Sequence, residues 1–211
     1  LLTAISSEAK SHMPSWPDLP AGSKMAIEAE GIGEAEYVSL MNGEILTRQR
    51  SVPAGKSGVH VAAFGTVNSS IDKLWSAISD CSESAQFMPN IESCVETQPD
   101  HELPPNERWY RLRLSFCGCL VFKKTINIIN HTTMKPPYYL CWQLVKGDLK
   151  TNEGYYRIVT INPNLQLVVF DVITDPGVPL PEKVLSWFSQ RSLLGVITAL
   201  RGWVEGIEQR H

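Results

Sequence analysis

The sequence predicts an α+β fold in which a curved antiparallel sheet wraps around one long C-terminal helix and leaves an internal cavity. Three observations carry this. Six strand-like runs follow one another between residues 91 and 174, with only short turn-rich separators, which is the pattern of a meander. From Pro181 to about Gln209 nothing but tolerated glycines interrupts a helical pattern, giving a rod of roughly 40 Å. On the inner stripe of that rod Ser192 and Ala199 stand between larger side chains, with Gly195 and Gly206 at its edges. Small side chains facing a curved sheet leave volume for a guest.

Composition sets the class. The chain has 211 residues, 43% hydrophobic and 19% charged, which is enough to bury a core and too apolar for a disordered chain. Nineteen basic and twenty-two acidic side chains leave a net charge of −3. A global basic footprint is excluded, and nucleic acid is not an expected partner. No apolar run reaches the ~20 residues of a bilayer span, so no transmembrane segment is expected, while a transient membrane contact stays open.

The cysteines at 81, 94, 117, 119 and 141 are odd in number and scattered. They do not read as a disulfide framework. Cys117-Gly118-Cys119 lacks the second ligand pair that a metal site needs, and neither a metal nor another cofactor is expected.

Residues 1–33 are rich in Pro, Gly, Ser and Ala and read as an arm rather than a core element. Their start, from Leu1 to Ala9 with small residues at Ser7 and Ala9, resembles the end of a secretory signal or else a plain N-terminal tail. Export is one expectation and a cytoplasmic place the other. Glu34 to Met41 forms a short helix stopped by Asn42-Gly43. The N-terminal segment therefore spans 1–43 and the main domain 44–211. Residues 44–52 read as a polar strand and 59–67 as an apolar, central one.

Ser69 is expected to cap the next helix, with Asp72 closing the box. Ile71, Leu74, Trp75 and Ile78 follow at helical spacing, and a second short helix runs to Phe87-Met88 before Pro89. The six strands are expected at 91–97, 108–116, 120–129, 138–145, 154–161 and 165–174. Tyr110, Leu112, Leu114 and Phe116 share one face, as do Leu120, Phe122, Ile126 and Ile128 with Lys124 among them. The last strand is ambiguous, because Leu167, Val169, Asp171 and Ile173 alternate with an equally apolar Val168, Phe170 and Val172.

On the terminal helix Leu185, Phe188, Ser192, Val196, Ala199, Leu200, Trp203 and Ile207 project onto one stripe. Trp187, Leu194 and Ile197 fall off it, and would cover the arm or meet a membrane or a partner.

Two stretches resemble the START-like or SRPBCC superfamily, the helix-grip proteins that include lipid-transfer domains, birch-pollen allergen relatives, coenzyme Q-binding proteins and polyketide cyclases. One runs from Gly65 through Trp75 to Ile78 and on to Phe87-Met88-Pro89-Asn90. The other is Asp175-Pro176-Gly177-Val178-Pro179-Leu180-Pro181 and the helix bearing Leu200-Arg201. Trp142 and Gly154-Tyr155-Tyr156-Arg157 suit the same pattern, so the likeness covers about residues 44–209. It implies a START-like ligand-binding domain with a hydrophobic cavity between sheet and terminal helix.

The expected function is binding or transport of a small hydrophobic molecule: a lipid, sterol, quinone or aromatic polyketide. Tyr110, Lys124, Trp142, Tyr156, Phe170, Val196, Ala199 and Trp203 are the expected lining, and residues 175–181 the expected gate. Lys124 needs a carboxylate, a head group or a route to water, and Asp171 is a candidate partner. The alternative is a polyketide cyclase or aromatase using the same cavity, with Lys124, Tyr110 and Asp171 as its acid–base groups. The Ser-x-x-Lys spacing at Ser70–Lys73 lacks the other signatures of serine acyl enzymes and is read as capping. Asn68-Ser69-Ser70 and Asn130-His131-Thr132 are formal glycosylation sequons.

Overall fold

The computed structural model describes the backbone of residues 14–118, 122–177 and 182–206, and their side chains except those of 116–118, 122–124 and 182–192. A short turn at Trp16–Asp18 leads into helices α1 (Ala21–Ala29) and α2 (Glu34–Met41), then strands β1 (Leu46–Arg50) and β2 (Val59–Asn68). Helices α3 (Ile71–Ser79) and α4 (Cys81–Phe87) follow. Strands β3 (Ile91–Thr97), β4 (Glu107–Gly118), β5 (Phe122–Lys135), β6 (Tyr139–Gly147), β7 (Thr151–Asn162) and β8 (Leu165–Asp175) precede the long helix α5 (Glu182–Glu205). One eight-stranded sheet has the order β1-β2-β8-β7-β6-β5-β4-β3, every pair being antiparallel. The expected meander is thus β3 to β8, closed on one side by the β1–β2 hairpin.

Local chemistry explains the joints. Gly43, at φ 89°, ends α2: its N–H donates to Leu40 O, and the Glu44 N–H reaches Ser39 O, so the last carbonyls are satisfied. The start of α3 corrects the expected cap. Asn68 is still paired with Leu165 in the ladder, so the helix opens one residue later and Ser70 is the cap, accepting from Lys73 N. Ser69 Oγ instead donates to Ser70 O at 2.9 Å. Asp80 caps α4 by accepting from Ser82 N at 2.8 Å and Glu83 N at 3.1 Å.

Helix α5 lies on β2 because Gly65 lets it approach: a Cβ there would stand 2.5 Å from Ile197 Cγ2. Arg201 pins the same end, donating from Nε to Thr66 O at 2.6 Å and from Nη1 to Gly43 O at 2.8 Å. The buried stripe of α5 is Leu193, Val196, Ile197, Leu200 and Val204. It is rotated from the expected stripe, since Ile197 is fully buried and Trp203 is exposed. The close contact at Gly65 draws Ile197 inward and turns Trp203 toward α4.

Three apolar clusters form among the described residues, the two larger lying one on each face of the sheet and the third being Ile126, Ile128 and Leu149 with Leu112, Leu114 and Leu144 against it. On the inner face Val61, Ala63, Val67, Leu140, Tyr156, Ile158, Val168 and Phe170 pack with α3 and α5. On the outer face Ala62, Phe64, Val159, Leu167 and Val169 pack with Leu19, Ile27, Ile32, Tyr37 and Leu40. The reading of residues 1–33 as an arm outside the core is therefore corrected for the described part. Strand β8 is apolar on both faces, and its outer face needs a cover as much as its inner one.

The cysteine reading is corrected too. Cys81 and Cys94 form a disulfide across a Cα–Cα distance of 5.4 Å, tying the first residue of α4 to β3. They stand 13 positions apart in sequence, and only the packing of α4 beside β3 brings them together.

Candidate functional site

The site follows from strand alternation and register. Tyr156 and Phe170 belong to the inner cluster, and the register carries their face across the sheet. Tyr156 stands beside Leu140, Trp142 beside Gly154 and Thr132, and Asn130 beside Leu144 and Tyr110. Leu112 is paired with Ile128 and Leu114 with Ile126. Tyr110, Trp142, Tyr156 and Phe170 therefore share the inner face, and Val196 of α5 packs into the same cluster.

An aromatic trio forms the floor. Tyr156 and Phe170 have ring centroids 4.7 Å apart. Trp142 stacks on Phe170 at 5.6 Å and meets Tyr156 at 5.9 Å. Gly154 makes this arrangement fit, because a Cβ there would stand 2.6 Å from Trp142 Cζ2. The Tyr156 hydroxyl donates to Met88 Sδ at 3.7 Å. Burial pushes its phenol far above the usual range, so it stays a neutral donor. Tyr110 donates to Ser79 O at 3.4 Å, and burial, with Glu96 adding to it, raises its phenol as well.

This face is not sealed. Tyr110, Leu112, Leu114, Met134, Trp142, Leu144 and Val172 all retain partial exposure, although a sheet's inner face normally buries such groups. Polar groups lie among them. Asn130 and Thr132 are buried, and Asn152 Nδ2 donates to Asn130 Oδ1 at 3.3 Å. Neither amide was singled out as lining from the sequence, although Asn130 interrupts the inward row Ile126, Ile128. Its burial also removes Asn130 as a glycosylation acceptor in the folded chain.

The remaining expected residues fall elsewhere. Ala199 is buried but outside the cluster that meets the sheet. Trp203 is 39% exposed, stacks on Phe87 at 5.6 Å and donates from Nε1 to Glu83 Oε1 at 2.6 Å. It closes the seam between α4 and α5 rather than the floor. Lys124 stands opposite Phe116 on β5, and its side chain lies outside the described residues, as do residues 178–181 of the expected gate, Trp187, and residues 1–13.

Asp171 is corrected as a partner of Lys124. It lies on the outer face, where Asp171 Oδ2 accepts from Arg50 Nη1 at 2.8 Å and Oδ1 meets His60 Nε2 at 2.7 Å. Arg50 also binds Glu30 Oε2 at 2.9 Å, and Tyr155 donates to the same oxygen at 2.9 Å. Burial raises the Asp171 carboxyl above its ordinary value, against the pull of His60 and Arg50. Burial, helped by Asp171 and Glu30, pushes the Tyr155 phenol up to about 12. This network fastens the N-terminal helices to the sheet. Among the described residues no group of three or more His, Cys, Asp or Glu side chains is arranged to hold a metal. No described helix is long and apolar enough to cross a membrane.

Residues 67–201 match the family described as polyketide cyclase / dehydrase and lipid transport. The chain belongs to that family. Its fold is the helix-grip fold of START-like proteins, and solved structures agree. A START superfamily protein from Mycobacterium smegmatis is 22% identical, with a TM-score of 0.59 over 71% of this chain and 99% of that one. Human StAR-related lipid transfer protein 5 is 13% identical, with a TM-score of 0.59 over 90% of this chain and 99% of that one. An aromatase/cyclase from a Streptomyces species is 17% identical, with a TM-score of 0.56 over 69% of this chain and 93% of that one. No curated protein matches the sequence. This polyketide cyclase / dehydrase and lipid transport family member keeps its match from the end of β2 to Arg201 in α5, the span that holds most of the inner cluster.

Proposed function

We propose that this chain binds and carries a small hydrophobic molecule, such as a lipid, sterol, quinone or aromatic polyketide, between the inner sheet face and α5. One observation supports this above the others: Leu112, Leu114, Trp142 and Leu144 line the inner face and are only partly buried. Apolar area left accessible inside a fold gains about 25 cal/mol per Å² when a guest covers it. The family's lipid-transport description points the same way. The cyclase alternative loses one of its three acid–base candidates, since Asp171 is held on the outer face by Arg50 and His60. Binding without chemistry is the reading this geometry favours.

Native mass spectrometry of the protein purified from its host tests the reading. The expected spectrum carries an added mass that extraction with organic solvent removes, and Trp142→Ala reduces its occupancy. A bare protein mass, together with no uptake of any apolar fluorescent probe, would sink it.

A further inference from the structure

We propose that the guest is an uncharged amphipathic molecule. Its hydroxyl, carbonyl or amide group is held by Asn130 and Asn152 where β6 and β7 part, and its apolar body lies on Trp142, Tyr156 and Phe170. The proposal rests on the ligand-binding reading above.

The first observation is the parting of the strands. The β6–β7 ladder runs only from Tyr139↔Arg157 to Gln143↔Glu153. Beyond that rung β6 stays with β5, pairing Gly147 with Ile128, and the Asp148 N–H donates to Asn127 O at 2.9 Å. Strand β7 stays with β8, pairing Asn152 with Thr174 and Thr151 with Asp175, and the Lys150 N–H donates to Asp175 O at 2.9 Å. Each strand follows its outer neighbour, so the sheet opens between them. A depression of about 730 Å³ lies there, lined among others by Lys56, Gln143, Leu144, Lys150, Asn152 and Glu153. By alternation Leu144 and Asn152 belong to the inner face, and Gln143 and Glu153 to the outer. Residues of both faces thus line the opening, with Leu144 and Asn152 on its inner side.

The second observation is the amide pair. Asn130 is only 5% exposed, and its Oδ1 accepts from Asn152 Nδ2 at 3.3 Å. Each Asn amide offers two donors and one acceptor oxygen, so a single bond between two amides leaves capacity for a third polar group. A buried amide gains from such a partner. The next row of the sheet holds Thr132, Trp142 and Gly154, which places the polar pair beside the aromatic floor.

The third observation is charge. Between β5 and β8 the described inward side chains are neutral. At the mouth of the opening Lys56 is paired with Glu153, and Lys150 with Asp175 at 3.6 Å. Arg108 and Glu96 pair with each other at 3.3 Å near the sheet edge. Among the described residues, a carboxylate or phosphate seated on the amides would lose its water without gaining an unpaired inward cation. Lys124 stands six positions before Asn130 on β5, about 20 Å along an extended strand.

Fluorescence titration of the full chain with butylpyrene, pyrenebutanol and pyrenebutyrate at neutral pH tests this. Pyrenebutanol is expected to bind about ten-fold more tightly than pyrenebutyrate. Asn152→Leu is expected to weaken pyrenebutanol by a similar factor and leave butylpyrene unchanged. If Asn152→Leu fails to fold, Asn152→Ser gives the same comparison. Butyrate binding as tight as the alcohol overturns the proposal, as does equal weakening of all three probes. Butyrate binding lost in Lys124→Met would assign the head group to Lys124 instead. If no probe binds, butylpyrene included, the ligand-binding reading itself falls.

Discussion

Gly154 of β7 and Trp142 of β6 face each other across the sheet, and the indole occupies the space where a Cβ of residue 154 would stand, 2.6 Å from Trp142 Cζ2. The same Cβ would approach Asp171 O to 2.1 Å. Neither contact relaxes cheaply, because one neighbour is strand backbone and the other is wedged on Phe170. The glycine is thus the reason the aromatic floor lies flat.

Gly154→Ala is accordingly expected to destabilise the fold by about 1–3 kcal/mol through overpacking. It should also alter the near-ultraviolet circular dichroism of the stacked indole. Chemical denaturation and that spectrum check it together. An unchanged midpoint with an unchanged spectrum would show that the indole has room to move.

Removing Arg50 should loosen the N-terminal helices before anything else. Glu30 and Asp171 are nearly fully buried, and Arg50 bridges them at 2.9 and 2.8 Å. Arg50→Met leaves both carboxylates without their shared cation, for which a cost of about 3 kcal/mol is expected. Hydrogen exchange should show lost protection across α1 and α2 with α5 less affected. Uniform loss across the chain would mean that the network is not a local fastening.

Asp80 supplies a pH test with a definite sign. Hydrogen bonds from the Ser82 hydroxyl and the Glu83 amide hold its carboxyl below the ordinary 3.8. A lowered carboxyl stabilises the fold above its unfolded value, and this contribution is lost as pH falls through the folded value. At neutral pH Asp80→Ala should cost about 1 kcal/mol as a lost helix cap. The gap between wild type and variant should close below pH 3.8. Denaturation midpoints across an acid series measure it, and a gap independent of pH would contradict the capping role.

Much of the frame was legible in the chain. The span of β3, 91–97, and of α2, from Glu34 to Met41, agrees with its expected bounds, because turn residues and a glycine cap mark those ends chemically. Strand β5 runs on to Lys135, beyond the expected 129, since the polar residues Asn130 and Thr132 end the apolar run in sequence but sit in a ladder between two long neighbours. Asp171 was ambiguous for a related reason. When both alternating sets of a strand are apolar, period-two patterning does not say which set faces the terminal helix.

The order of elements, the antiparallel sheet and the long last helix are written in the chain alone. These follow from local rules: side chains alternate along a strand, glycine ends a helix, and turns punctuate the meander. Only the tertiary structure decided which turn of α5 meets the sheet, that residues 16–41 complete the core, that Cys81 meets Cys94, and that Asp171 serves the outer face. Each of these depends on contacts between residues far apart in sequence, such as Gly65 with Ile197 and Arg50 with Asp171. No local pattern encodes such a meeting, because it is set by which surfaces exclude water together.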